Sequence, residues 1–165
     1  MTATAPDVFA EAPLGPLRLK NRIIKAATFE GRSPRGEVTD DLVAFHMAMA
    51  RGGVAMTTVA YLAVSPEWRT DRHCIVLGPG SADGLARLAD AVHGAGALVS
   101  AQIGHAGPVA NSASNGLPAL SPTRRFGASG ARTRAVSEAA QRPFDPAFLR
   151  VSLQVRPSVH CCLGR

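Results

Sequence analysis

The chain is 165 residues long, 46% hydrophobic and 18% charged, which suits one globular domain large enough to bury a core. No apolar run reaches the ~18–20 residues of a membrane span, and the N-terminus has neither the basic nor the apolar region of a secretory signal. The net charge of +6 resides entirely in residues 111–165, where eight arginines face only Glu138 and Asp145; scattered and without interleaved aromatics, they make no groove for nucleic acid.

Residues 1–20 read as an N-terminal cap. Within them Leu14-Gly-Pro-Leu-Arg-Leu alternates apolar and polar positions around a Gly-Pro turn, the pattern of a small hairpin. Asn21-Arg-Ile-Ile-Lys-Ala-Ala-Thr28 is a strand candidate with β-branched Ile23 and Ile24, ending in Ala26, Ala27 and Thr28. Small residues there either let a flat ligand approach the backbone or fit a crowded interior. Residues 29–38, rich in Gly, Pro and Arg, read as a loop. Thr39 then caps a helix, with Asp40 and Asp41 in its first turn and an apolar stripe at Leu42, Phe45 and Met49 that Gly52-Gly53 ends. His46 lies beside that stripe and reads as a packing residue.

A second strand spans residues 54–64, with Thr57, Thr58 and Tyr61 inside it, and Ser65-Pro66 ends it. Residues 67–80 read as a loop. Ser81 caps the next helix, in which Leu85, Leu88, Ala89 and Val92 fill one face, and Gly94 ends it. His93 suits the negative end of that helix dipole. A third strand, residues 98–103, is framed by Gly94, Gly96, Gly104 and Gly107 and carries Gln102 at its far end, followed by His105. Polar groups at the C-terminal end of a strand are where barrel and open α/β enzymes hold their chemistry. The alternative is a buried amide bonded to a neighbouring strand. Strands joined by helices require right-handed crossovers and a parallel sheet, buried on both faces. No G-x-G-x-x-G or P-loop follows any strand. Cys74, Cys161 and Cys162 make neither metal-ligand spacing nor a disulfide framework, so no metal and a reduced, cytoplasmic setting are expected.

Four stretches in this order resemble the Old Yellow Enzyme family of FMN-dependent NAD(P)H oxidoreductases. They are residues 21–28, the strand from Gly52-Gly53 to Ser65-Pro66, Leu88-Ala-Asp-Ala-Val-His93-Gly-Ala-Gly, and Ala101-Gln102-Ile-Gly-His105-Ala-Gly107. The resemblance covers residues 8–110 and extends to Leu120-Ser-Pro-Thr-Arg124. It implies an α/β fold, a partial (β/α)8 barrel of about three N-terminal βα units, with FMN across the C-terminal mouth. By the same resemblance the backbone of Lys25, Ala26, Ala27 and Thr28 underlies the flavin, and the Thr28 hydroxyl bonds the carbonyl beside the reactive nitrogen. Tyr61 falls at the second-strand flavin contact, where the family carries a small residue; the bulky side chain is a departure. Gln102 matches the amide that binds the pyrimidine edge of the ring, whose carbonyls and N–H suit a donor-plus-acceptor group. No role follows for His105.

The implied chemistry is hydride transfer from NADH or NADPH to FMN, then from the flavin to the β-carbon of a small α,β-unsaturated carbonyl compound (an ene-reductase reaction), with no membrane partner. A complete barrel needs at least ~200 residues. The family's substrate-binding His pair, its proton-donating Tyr and its phosphate-binding arginines have no matching positions here, so the isolated chain is expected to be incompetent. Residues 111–141 read as an Arg-rich loop region. Residues 142–165 read as a tail without the family pattern, consistent with an out-of-frame ending. A three-strand piece leaves unpaired edges, so self-association is expected. The alternative function is a non-catalytic half-barrel for binding or assembly.

Overall fold

The computed structural model describes residues 7–127, 130, 132–136 and 159–162. The cap is a hairpin: β1 (Ala12–Leu14) pairs antiparallel with β2 (Leu17–Leu19), with Ala12 opposite Leu19 and Leu14 opposite Leu17. Its turn residue Gly15 has φ of +55°, a conformation that disfavours any side chain. Leu19 packs with Ala55 and Met56 against Leu17 and Leu98, closing the end of the sheet where the central strands begin. The other end stays free for a ligand.

Next comes a parallel sheet in the order β3 (Ile24–Lys25), β4 (Met56–Ala63), β6 (Leu98–Gly104) and β9 (Val159–Cys162), with the short β5 (Ile75–Val76) beside the second half of β4. Two helices cover one face of this sheet. These are α1 (Asp40–Arg51) and α2 (Pro79–Gly94). Leu42 and Val43 of α1, Leu88, Ala89 and Val92 of α2, Val59 and Leu62 of β4 and Val99 of β6 belong to one buried cluster. The middle of α2 packs closely on the entry to α1: a Cβ on Gly84 would lie 2.7 Å from Val38 Cβ, and Arg87 pairs with Asp40.

Several expectations need correction. The first strand is longer in the sequence than in space; only Ile24 and Lys25 pair with β4, because the chain leaves the sheet at the small residues that follow. Thr39 does cap α1, its hydroxyl accepting from Leu42 N at 3.2 Å. The buried face, however, is Leu42, Val43, His46 and Ala50, with Phe45 and Met49 only half-buried. The stripe is rotated toward His46, which finds a polar partner inside. α2 starts earlier than Ser81, at Pro79; Ser81 lies inside its first turn and its hydroxyl accepts from Gly78 N at 3.1 Å. The loop before α2 contains β5, two residues too few for a periodic signal. Short elements also occur in the later segments: α3 (Ser112–Asn115) and the paired β7 (Leu120–Ser121) and β8 (Arg134–Ala135) within the Arg-rich loop region. In the stretch read as a tail without the family pattern, β9 pairs parallel with β6, Val159 opposite Val99 and Cys162 opposite Gln102. A four-residue strand is recognisable only from the open edge that receives it. The rest of residues 142–165 lies outside the described residues.

Candidate active site

The C-terminal ends of β3, β4 and β6 surround an open cavity of about 330 Å³. Ala27 and Thr28 line it from the end of β3, Ala60 and Tyr61 from β4, and Gln102 and His105 from β6 and the loop after it. Three of the four stretches singled out in the sequence therefore converge on one space. Thr28 and Gln102 are both exposed, so the hydroxyl and the amide are available to a ligand. Ala26 is exposed but does not line the cavity, and Lys25 turns the other way.

The pairing of β4 with β6 is interrupted here. Val59 faces Ala101 and Leu62 faces Ile103, so Ala60 and Tyr61 together oppose the single residue Gln102. Such a bulge re-aims side chains and is common beside active sites. It brings the Tyr61 ring over Gly104, where a Cβ would lie 2.5 Å from Tyr61 Cε2. The Tyr61 hydroxyl donates to Trp68 O at 2.9 Å and accepts from Thr70 N at 3.2 Å. Burial, then the nearby Cys74, raises its pKa above the usual tyrosine range, partly opposed by the bonds to Thr70. Tyr61 is thus a neutral wall residue that clamps the loop after β4, and its hydroxyl is already engaged.

Trp68, buried in the loop, stacks on His105 with ring centroids 3.6 Å apart and planes inclined by 26°. Its carbonyl also accepts from Ala106 N at 3.0 Å. Burial lowers the His105 pKa, partly opposed by a backbone hydrogen bond and by Glu67, which favours the neutral imidazole. The residue without a role in the sequence reading is therefore part of the cavity wall.

Beneath the cavity lies a buried polar group invisible in the sequence. Glu30, in the stretch read as a loop, has a side chain only 2% exposed. Its Oε1 accepts from Lys25 Nζ at 2.5 Å, and its Oε2 accepts from Ala60 N at 3.2 Å. Lys25 Nζ also donates to Thr58 O at 3.1 Å. His46 is fully buried with Nδ1 2.7 Å from Thr57 Oγ1 and Nε2 3.6 Å from Glu30 Oε1. Burial, then the Lys25 charge, lowers its pKa to about 4, so it is neutral near pH 7 and its contact with Glu30 is no ion pair. The only sequence signal for this group is a lysine and a glutamate five residues apart after a strand, too common to single out. The fit of Tyr61 to Gly104 had a better one: a large residue at one strand end and a glycine at the next.

Small walls at Ala27 and Ala60, an exposed amide at Gln102 and a hydroxyl at Thr28 fit a flat heteroaromatic ring with alternating acceptors and donors on one edge. No lysine or arginine lines the cavity, so these walls fit the flavin ring and offer no side-chain cation to a phosphate. Among the described residues no group of three or more His, Cys, Asp or Glu could hold a metal ion, and no helix is long and apolar enough to cross a membrane.

Parallel strands, covering helices and a cavity at the C-terminal strand ends define a partial (β/α)8 barrel. Residues 7–143 match the NADH:flavin oxidoreductase / NADH oxidase family, to which the chain belongs. FMN is the cofactor of that family, whose members use NADH or NADPH. A 4,4'-dithiodibutanoate disulfide reductase of Rhodococcus erythropolis is 59% identical over 125 residues, 76% of this chain and 31% of that protein. A metal reductase of Desulforamulus reducens is 39% identical over 122 residues, 70% of this chain and 17% of that protein. The chain therefore spans less than a third of the length of these relatives. In fold it is similar to the Old Yellow Enzyme from Pichia sp. AKU4542, with a TM-score of 0.76 at 17% identity over 93% of this chain and 45% of that one. It is also similar to the Old Yellow Enzyme homologue from Zymomonas mobilis, with a TM-score of 0.72 at 21% identity over 91% and 44%.

Proposed function

We propose that this chain carries the flavin-edge half of an FMN-dependent NAD(P)H oxidoreductase that reduces activated C=C bonds of small α,β-unsaturated carbonyl compounds. The observation that carries this reading is the convergence of Thr28, the Ala60–Tyr61 bulge and Gln102 on one cavity at the strand ends. Gln102 would bond the pyrimidine edge, Thr28 the carbonyl beside the reactive nitrogen, and the backbone from Lys25 to Thr28 would lie under the ring. Tyr61 would bound the ring from the side, replacing a small residue with a rigid wall. When bound, FMN supplies the hydride chemistry, and these residues orient it.

A second reading concerns the acceptor. The strong similarity to a protein named as a disulfide reductase supports a disulfide in place of the C=C bond. The division into a cap of residues 1–20, barrel units to residue 110, a loop region and a tail from residue 142 belongs to the same proposal, as does an out-of-frame tail. The family match ending at residue 143 supports that last boundary, and the coding DNA past residue 141 tests it.

The experiment is titration of the full chain with FMN, read by quenching of flavin fluorescence, followed by NADH and NADPH oxidation with cyclohexenone or 4,4'-dithiodibutanoate. Weak flavin binding without turnover is the expected result, because the family's proton-donating Tyr and substrate-binding His pair have no matching positions and no lysine or arginine lines the cavity. An absence of flavin binding overturns the reading in favour of a non-catalytic half-barrel. Turnover by the chain alone overturns the expected incompetence, and the faster acceptor decides between C=C and S–S.

A further inference from the structure

We infer that Glu30 is a positioning residue for the cavity, holding the β4 bulge in place through the Ala60 amide, with Lys25 as its partner. The ligand side of this inference rests on the flavin reading above; the backbone side stands by itself. An extra residue in a bulge loses its ladder partner, and an unpaired buried N–H is costly. Glu30 Oε2 supplies that partner to Ala60 N at 3.2 Å. Two residues earlier on β4, Lys25 Nζ donates to Thr58 O at 3.1 Å. The Lys25–Glu30 pair therefore grips a carbonyl and an amide on either side of Val59, immediately before the chain bulges out.

A buried carboxylate and ammonium lose most of their hydration, so an ion pair in this position is a poor choice for stability alone. The geometry shows what the pair does: it fixes the backbone of the two residues that line the cavity opposite Gln102. From there the Tyr61 ring is set over Gly104 and its hydroxyl reaches Trp68 O and Thr70 N. Glu30 itself does not line the cavity, and acts on it through Ala60.

Two double variants of the full chain separate this role from simple packing. Lys25→Met with Glu30→Gln removes both charges but keeps an acceptor for Ala60 N. Lys25→Met with Glu30→Leu removes the charges and the acceptor. Amide hydrogen exchange at Ala60 and the Kd for FMN and riboflavin are measured in each. The Gln variant is expected to keep Ala60 protected and to bind flavin about tenfold more tightly than the Leu variant, which shares the Lys25 change. The Leu variant is expected to expose Ala60 to exchange and to weaken flavin binding by that factor, the effect of one lost hydrogen bond. Equal protection and equal affinity in the two variants overturn the inference. Should the Leu variant fail to fold, the wild type decides: an Ala60 amide that exchanges as freely as an unstructured peptide also overturns it. If the wild type binds no flavin, the flavin reading falls, and Ala60 exchange alone judges Glu30.

Discussion

The ring of Tyr61 occupies the space that a Cβ on Gly104 would need, 2.5 Å from Tyr61 Cε2. Neighbouring strand ends are thus fitted to each other, a large residue on β4 against none on β6. Gly104→Ala is expected to destabilise the chain by ~1–3 kcal/mol, the usual cost of overpacking. In a Tyr61→Ala background the same Gly104→Ala change should cost little, since the clash disappears with the ring. Urea unfolding of the wild type, both single variants and the double variant checks this. An equal cost of Gly104→Ala in the two backgrounds would show that the ring moves aside freely.

Tyr61→Phe tests the clamp rather than the wall. Two hydrogen bonds, to Trp68 O and from Thr70 N, disappear while the ring stays. A loss of about 1–2 kcal/mol is expected, together with faster amide exchange at Thr70.

The neutral, buried His46 makes stability depend on pH. Its pKa is about 4 in the folded chain against 6.5 ordinarily. Between those values the unfolded chain binds the proton more readily, so stability rises with pH through this window. The contribution is full above pH 6.5 and is lost as the pH falls toward 4; at pH 5 about 2 kcal/mol of it has gone. Unfolding of the wild type at pH 7.5 and pH 5, compared with His46→Asn at the same two values, isolates the effect. The variant should show a smaller drop than the wild type.

Gln102→Leu removes the amide from the cavity without disturbing β6 pairing, which uses backbone groups. Flavin affinity is expected to fall about tenfold or more, for one or two hydrogen bonds. Because no lysine or arginine lines the cavity, riboflavin and FMN should bind the chain with similar Kd. A strong preference for FMN would reveal a phosphate contact elsewhere in the chain.

β3 is the edge of the sheet among the described residues, and Ile23, Ile24 and Phe29 on or beside it are 38%, 41% and 53% exposed. Unpaired edges with apolar side chains pair with other chains. The chain is expected to self-associate, and Ile24→Lys to shift it toward the monomer in sedimentation velocity runs.

The order strand, helix, strand, helix, strand was legible because long apolar strands and a helical face at Leu85, Leu88, Ala89 and Val92 repeat with different periods. The Thr39 cap and the Gly-Pro hairpin were legible for local reasons, since each rests on side chains within a few residues. Thr28 and Gln102 could be picked out as strand-end residues, and Tyr61, inside its strand, only by the family resemblance. The short β5 and β9 could not, because their pairing is specified by the strand beside them. Sequence alone thus determined which residues stand at the strand ends, by the periodicity of the chain around them. Only tertiary structure decided that two residues of β4 would bulge opposite Gln102, that Tyr61 would use the space left by Gly104, and that Glu30 would turn inward to Lys25 and Ala60. Those contacts join segments that lie far apart in the chain or leave no periodic trace, and packing and the pairing of buried polar groups select them.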